Sequence, residues 1–261
     1  MASSHRRKVA KGVTSLLRRF SHEFDADEAL QKMKGGQCWQ TKKEQFRKRD
    51  GTIMSDEEIK DYWNFRRLVS KSLGVSLHAE IELYLKGSVS QGPRSREFHQ
   101  FLAFQEDVLG RLQVWRTEAL LSHYGLRLCG IVDLLCRDET GRIVILDWKR
   151  SDRMAFSNRF RCMKPPLGHL DDCSFNLYSL QLNMYRYILE SEYKEEVSGM
   201  RLVQLHPQLQ SYVTQEVHRM DREVDAIVAH VQEFGHEFDS AHEAPQAAFQ
   251  PEEFEEFVVA Q

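Results

Sequence analysis

Gly130-Ile131-Val132-Asp133 and Val144-Ile145-Leu146-Asp147-Trp148-Lys149 are the two stretches that decide the fold of this 261-residue chain. The second stretch opens with a short apolar run rich in β-branched residues, which predicts a buried central strand. Side chains alternate between the two faces of a strand, so we expect Asp147 and Lys149 on one face and Trp148 on the other.

A second strand is predicted from Leu126 to Cys136, and a polar stretch ending in glycine, residues 137–141, joins it to the first. Such a connection is typical of a hairpin. Antiparallel pairing would bring Asp133 and Asp147 to the same end of the sheet, within reach of one ion. Two carboxylates with a neighbouring lysine can hold a hard divalent cation and activate water, which predicts nucleic-acid hydrolysis.

The order of motifs along the chain resembles the RecB-like branch of the PD-(D/E)XK nucleases. Asp is followed on the next strand by Asp-x-Lys; a Gly-x-x-x-His-x-x-x-Glu helix precedes this pair and Gln-x-x-x-Tyr follows it. The motif residues are Gly74, His78, Glu82, Asp133, Asp147, Lys149, Gln181 and Tyr185. The resemblance runs from Gly74 to His206 and implies an α/β fold: a restriction-endonuclease-like core with a central mixed β-sheet flanked by helices, and an N-terminal helical region.

The resemblance also implies roles for individual residues. The implied metal ligands are His78, Asp133, Asp147 and the main-chain carbonyl of Trp148. The implied catalytic residues are Asp133, Asp147, Lys149, Glu118 and Gln181. Lys149 would orient or help deprotonate the attacking water, and Glu118, on a strand predicted from Val114 to Leu121, would support metal or water. Tyr185 would touch the substrate backbone. Oxygen ligands suit Mg²⁺, and the imidazole makes Mn²⁺ an alternative.

Three segments are predicted along the chain: a basic N-terminal arm with a loop-rich lead-in (1–54), a nuclease-like domain (55–240) and an acidic, mobile tail (241–261). A capping-box pattern at Ser55 starts a helix that should run to about Leu73. Gly74 is expected to separate that helix from the one that carries His78.

A long irregular insertion, from Ser151 to Asn176, leaves directly from the strand that carries Lys149. Long loops in compact domains are usually functional or disordered. We therefore predict that this loop borders the substrate path. The arginines expected to contact nucleic-acid phosphates are Arg150, Arg153, Arg159 and Arg161.

Composition narrows the class of protein. The net charge is −3, 41% of residues are hydrophobic, and no apolar run is long enough to span a bilayer. The five cysteines are odd in number and lack Cys-x-x-Cys spacing, so they are interpreted as reduced thiols of an intracellular protein. This pattern argues against an iron–sulfur cluster.

Two basic regions allow more than one interpretation. Clusters between residues 39 and 67, interleaved with Trp39, Phe46, Trp63 and Phe65, fit a channel for a nucleic-acid strand or, equally, a solvated helical face. Residues 1–22 are basic, lack acids and place apolar residues on one helical face. They fit an organelle-targeting presequence or an ordinary amphipathic arm, which leaves mitochondrial and nuclear localisation both open.

Together these features predict a metal-dependent nuclease that hydrolyses DNA, with an exonuclease on single-stranded ends in repair, replication or recombination as the more specific expectation. A catalytically silent nucleic-acid-binding protein on the same fold is the main alternative. The presence of both aspartates with Lys149 counts against it. A metabolic hydrolase, which would ignore polynucleotides, is the third.

Overall fold

The computed structural model describes residues 11–88 and 93–234. They fall into two compact units, one containing residues 11–22 and 73–234 and the other residues 23–72. The predicted acidic tail, the first ten residues of the basic arm and the predicted end of the last helix beyond Phe234 lie outside the described residues. No helix in the described ranges is long and apolar enough to cross a membrane.

The first unit is built on a mixed β-sheet of six strands, counted within the described residues. The strands are β1 (Lys11–Gly12), β2 (Gln113–His123), β3 (Leu128–Arg137), β4 (Ile143–Lys149), β5 (Val197–Gln204) and β6 (Val213–Glu216). β3 is antiparallel to β2 and β4, β5 is parallel to β4, and β6 is antiparallel to β5. The two-residue β1 pairs in parallel with the start of β3.

Helices cover both faces of this sheet. The α-helices of the two units together, within the described residues, are α1 (Val13–Arg18), α2 (Ala26–Gly35), α3 (Trp39–Lys42), α4 (Asp56–Leu85), α5 (Arg96–Asp107), α6 (Ser174–Glu192) and α7 (Asp221–Phe234). α1, α6 and α7 pack on one face, while α5 and the end of α4 pack on the other. The predicted restriction-endonuclease-like α/β architecture, a mixed sheet flanked by helices, is confirmed.

β4 is the central strand that its sequence predicts. Ile143 and Ile145 point into the core beneath α6, while Leu146 and Trp148 point into the core beneath α5. Burial on both faces explains why the strand is apolar at successive positions rather than at alternate ones. The connection from β4 through α6 to β5 is a crossover that places β5 parallel to β4.

The N-terminal segment is part of the first unit. Val13, Leu16, Leu17 and Phe20 are at most 3% exposed and pack in the same core as α6. The apolar stripe on this segment therefore serves the fold of the unit. Targeting by this segment stays a prediction.

α4 is continuous through Gly74, so the expectation of two helices separated at that glycine is wrong. The predicted capping box is present, with the Ser55 amide donating to Glu58 and the Glu58 amide donating to Ser55 Oγ. A glycine in a helix interior costs only about 1 kcal/mol relative to alanine, which the packing of Leu77 and Ile81 outweighs.

The second unit is helical, so the expectation of a loop-rich lead-in before residue 54 is also wrong. α2 and α3 occupy much of that stretch. Its core contains Phe46, against which the rings of Trp39 and Trp63 pack. Arg47 pairs with Glu44 across 2.8 Å. These aromatic residues therefore serve as packing within the unit, which favours the interpretation of a solvated helical face over that of a strand channel.

Gly130 is a position where the close approach of helix and sheet requires glycine. A Cβ at this position would lie 2.5 Å from the Tyr185 ring of α6. We expect Gly130→Ala to lower the free energy of unfolding by about 1–3 kcal/mol, because the added methyl group overpacks this contact. Urea unfolding followed by circular dichroism measures the change.

Gly74→Ala is the matched control for this prediction. A Cβ at Gly74 meets nothing within 4 Å. This substitution should raise the free energy of unfolding by about 0.5–1 kcal/mol, since alanine is the better helix former. Equal stability of Gly130→Ala and the wild type would contradict the packing argument.

Candidate active site

The candidate site lies where β3 and β4 part. Their last paired residues are Leu134 and Leu146, and beyond them β4 continues alongside β5 only. The side chain of Asp133 replaces the next backbone hydrogen bond between the two strands, because its Oδ2 accepts a hydrogen bond of 2.8 Å from the Trp148 amide. The two predicted aspartates are thus brought to the same end of the sheet, as the hairpin argument expected.

His78 reaches this point from α4. Its Nδ1 lies 3.4 Å from Asp133 Oδ1, and its Nε2 lies 3.1 Å from the carbonyl oxygen of Trp148. Burial lowers the pKa of His78, but the carboxylates of Asp133 and Asp147 outweigh burial and raise it above its ordinary value. The histidine, the aspartate and the main-chain carbonyl that the resemblance implied therefore meet.

Glu118 completes the group from β2. One ligand atom from each of His78, Glu118 and Asp133 lies within 4.8 Å of the others. The Glu118 backbone has φ of +46°, a left-handed conformation that costs an ordinary residue roughly 1–2 kcal/mol. Burial, and next the charge of Asp133, raise the pKa of Glu118 to about 7. Strain and an unfavourable charge environment at one residue are typical of functional sites.

Asp147 and Lys149 form a buried ion pair beside this group. Lys149 Nζ lies 2.6 Å from Asp147 Oδ2, yet that oxygen receives no hydrogen bond of acceptable angle from any described residue. Burial raises the pKa of Asp147 despite the neighbouring lysine. Burial lowers the pKa of Lys149, but the charges of Asp147 and Asp133 reverse this effect, so its pKa is raised. The lysine is therefore charged at neutral pH.

Residues of α6 also contact the ammonium group of Lys149. Gln181 Oε1 lies 3.4 Å from Lys149 Nζ, and Gln181 Nε2 donates to the Tyr185 hydroxyl at 3.0 Å. The Tyr178 ring centroid lies 4.3 Å from Lys149 Nζ, a cation–π contact. Burial raises the pKa of Tyr185, which is thus a neutral hydroxyl.

The surroundings of Lys149 and Tyr185 include two residues, Tyr178 and Thr14, that the sequence did not predict. Tyr178 lies three residues before Gln181, one helical turn away, so helical spacing carried a signal for it. Thr14 of α1 shares a hydrogen bond with the Tyr185 hydroxyl. Its sequence context carried no signal, because residues so far apart meet only through the fold.

The other predicted residues have different surroundings. Glu82, one turn after His78, pairs with Lys86 on the helix surface. Arg150 is held by Glu97, with nitrogen-to-oxygen distances of 2.7 and 2.8 Å, so its guanidinium is already engaged by a carboxylate. Arg153 and Arg159 are exposed on the loop after β4, and Arg161 is partly buried there.

The donor set fits a hard divalent cation. Asp147 offers a buried oxygen that lacks a hydrogen bond from the described residues, and the neighbouring group offers carboxylate oxygens with a single imidazole nitrogen. Such a set suits Mg²⁺ or Mn²⁺. Clustered carboxylates without a compensating cation would repel one another, which agrees with the raised pKa of Glu118.

Comparison with known proteins identifies a family for this chain. The sequence model of the PD-(D/E)XK nuclease superfamily matches residues 44–256, most of the chain. A candidate exonuclease from Eubacterium rectale is similar in structure, with 12% sequence identity and a TM-score of 0.40, over 63% of this chain and 65% of that one. This chain therefore spans less than two thirds of that protein.

A second similar structure is an alkaline exonuclease from Laribacter hongkongensis. The identity is 14% and the TM-score 0.36, and the similarity covers 63% of this chain and 78% of that one. No curated protein matches the chain in sequence.

The raised pKa of Glu118 gives a testable pH dependence. Below about pH 7 the metal-free Glu118 carboxyl is protonated, and a cation must displace that proton. We expect affinity for Mn²⁺ to fall below pH 7, by roughly tenfold per pH unit for each proton displaced, and to level off above it. Isothermal titration calorimetry between pH 6 and 8 measures both the affinity and the protons released.

The Glu118→Gln variant separates the contribution of Glu118 to the pH dependence from the contributions of the other site residues. The variant should bind Mn²⁺ more weakly and release about one proton fewer at pH 6. A wild-type affinity that does not change between pH 6 and 8 would contradict the assignment of Glu118 to the cation site.

Proposed function

The chain belongs to the PD-(D/E)XK nuclease superfamily, and from this premise we propose that it is a divalent-metal-dependent nuclease that hydrolyses phosphodiester bonds in DNA. One observation carries the proposal: the ligand atoms of His78, Glu118 and Asp133 cluster directly beside the buried pair of Asp147 and Lys149. A structural ion pair alone would not need the strained, partly buried Glu118 next to it.

We assign the cation to His78, Asp133, Glu118, Asp147 and the Trp148 carbonyl, with Mg²⁺ or Mn²⁺ as the metal. A divalent cation at such a site generates a nucleophilic hydroxide near neutral pH and offsets charge on the leaving oxygen. Asp133 has a second task, because its Oδ2 is fixed by the Trp148 amide. This bond orients the carboxylate, as outer hydrogen bonds do for ligands in general.

Lys149 is assigned to charge stabilisation and to orienting water. Its raised pKa keeps it protonated at neutral pH, so it is a poor acceptor for a proton from water. Its ammonium is positioned by Asp147, Gln181 and the ring of Tyr178. A cation fixed in this way is suited to offset charge that develops on the phosphorane-like transition state.

The finer expectation is an exonuclease that acts on single-stranded ends in DNA repair, replication or recombination. It is supported by the RecB-like order of the motifs and by the exposed arginines, Arg153 and Arg159, of the loop that follows β4. The alternative of a silent nucleic-acid-binding protein is disfavoured, because the described residues retain both aspartates, the histidine and the lysine in contact.

The test is cleavage of end-labelled DNA by Lys149→Met and Asp133→Asn variants. Methionine preserves the aliphatic stem of the lysine, and asparagine retains an acceptor for the Trp148 amide. We expect turnover to fall by about 10²–10³ in Lys149→Met, because one preorganised charge is removed. Asp225→Asn, an exposed acid on α7, is the matched control and should cleave like the wild type.

Linear and covalently closed single-stranded DNA, each with Mg²⁺, Mn²⁺ or EDTA, separate the possible activities. An exonuclease degrades the linear strand, spares the circle and is inactive in EDTA. Cleavage of the circle would instead indicate an endonuclease. DNA binding without cleavage under all conditions would support the silent alternative, and full activity of Lys149→Met would refute the site assignment.

A further inference from the structure

We propose that Phe156 and Phe160 stack against unpaired bases of the substrate while Arg159 between them binds a phosphate, so that the substrate is read as a single strand. This inference rests on the proposed function and names the substrate class of the same site. All three residues lie in the segment between β4 and α6, residues 151–173, called here the 151–173 loop.

Both ends of the 151–173 loop lie at the candidate site. The loop leaves β4 directly after Lys149 and Arg150. It returns into α6, whose residues Tyr178 and Gln181 approach Lys149 Nζ to 4.3 and 3.4 Å. A strand whose phosphate reaches Lys149 therefore lies close to the base of this loop.

Phe156 lies at that base. The Ala155 amide donates to Ser174 Oγ at 2.9 Å, and the Phe175 amide donates to the Ala155 carbonyl at 3.0 Å, which ties the loop to the start of α6. The rings of Phe156 and Phe175 have centroids 4.8 Å apart, and Phe156 remains 52% exposed. Phe175 precedes Tyr178 by three residues, about 5 Å along the helix axis. Phe156 is thus an exposed ring beside the approach to the lysine.

Phe160 lies in a turn within the loop, and the residue is 89% exposed. This turn is nevertheless held by hydrogen bonds. The Phe160 amide donates to Asn158 Oδ1 at 3.1 Å, and the Asn158 amide donates to Asp171 Oδ2 at 3.0 Å. The Asn158 side chain also donates to the Asp172 carbonyl at 2.8 Å. The backbone below the exposed ring is therefore fixed before any ligand arrives.

The charged residues near Phe156 and Phe160 indicate which kind of ligand these rings bind. A single exposed apolar side chain is ordinary, but the run from Arg153 to Arg161 places two exposed rings among three arginines and contains no acidic residue. Three aspartates flank this run: Asp152 is exposed, whereas Asp171 accepts a hydrogen bond from the Asn158 amide and Asp172 accepts from Ser21 and His22. Aromatic faces with neighbouring cations are the composition of surfaces that bind single-stranded nucleic acid, where rings stack on bases and cations hold phosphates. A duplex hides its base faces in its own stack, so stacking of this kind requires an unpaired strand.

The test is binding rather than cleavage, so that it does not depend on catalysis. Fluorescence anisotropy in EDTA compares three probes: a short oligothymidylate, an oligomer of the same length without bases, and a duplex. The variants are Phe156→Ala, Phe160→Ala and Arg159→Ala. Tyr124→Ala is the matched control, since this aromatic residue is 91% exposed and belongs to the turn between β2 and β3, outside the 151–173 loop.

We expect Phe156→Ala and Phe160→Ala each to weaken oligothymidylate binding by about 5- to 100-fold, the range for loss of one base–aromatic stack. Binding of the base-free oligomer should not change, because it offers nothing to stack. Arg159→Ala should weaken binding of both single strands and reduce the slope of log affinity against log salt by about 0.7. Tyr124→Ala should bind like the wild type.

Two results would overturn the inference and leave the proposed function intact. One is oligothymidylate binding at wild-type strength in both phenylalanine variants, which would assign the exposed rings to another partner, such as a protein. The other is equal weakening for the base-containing and base-free oligomers, which would show that the rings do not read bases. A wild-type protein that binds none of the three probes would remove this inference, and it would remove the proposed function as well only if the protein also failed to cleave DNA in Mg²⁺ and Mn²⁺.

Discussion

The hydrogen bond from the Trp148 amide to the Asp133 carboxylate is the constraint on which the site depends. β3 and β4 pair only as far as Leu134 and Leu146, and an unpaired backbone amide beyond that point would be costly to bury. The Asp133 side chain accepts this amide and so replaces the missing ladder bond. One carboxylate oxygen is thereby immobilised, while the other faces His78 and the proposed cation site.

Compensating charges explain why several partly buried acids are tolerated at this site. Acids from β2, β3 and β4 approach one another, and burial would favour their neutral forms. Lys149 compensates for Asp147, and His78 compensates for part of the charge of Asp133. His78 compensates for only part of the charge of Glu118, whose pKa is raised to about 7 by burial and by the charge of Asp133. Under the proposed assignment, a cation that binds here would displace protons from these groups.

Much of the candidate site could be predicted from the sequence, because the positions of its residues on β3 and β4 depend on local sequence pattern. The period-two alternation of β4 separates Asp147 and Lys149 from Trp148, and the hairpin brings Asp133 alongside. Contacts between residues far apart in the sequence could not be predicted in this way. The left-handed backbone of Glu118 and the capture of Arg150 by Glu97 depend on packing between distant segments. Gly74 was misjudged because propensity alone cannot weigh a weak helix position against tertiary contacts.

The position of the N-terminal segment has a consequence for any processing of this chain. β1 pairs with β3 next to the site, and Thr14 of α1 reaches the hydroxyl of Tyr185. Proteolysis beyond Lys11 would therefore expose part of the core and remove a neighbour of a site residue. A cleavable leader, were one present, would have to end before Lys11 for the remaining protein to retain this support.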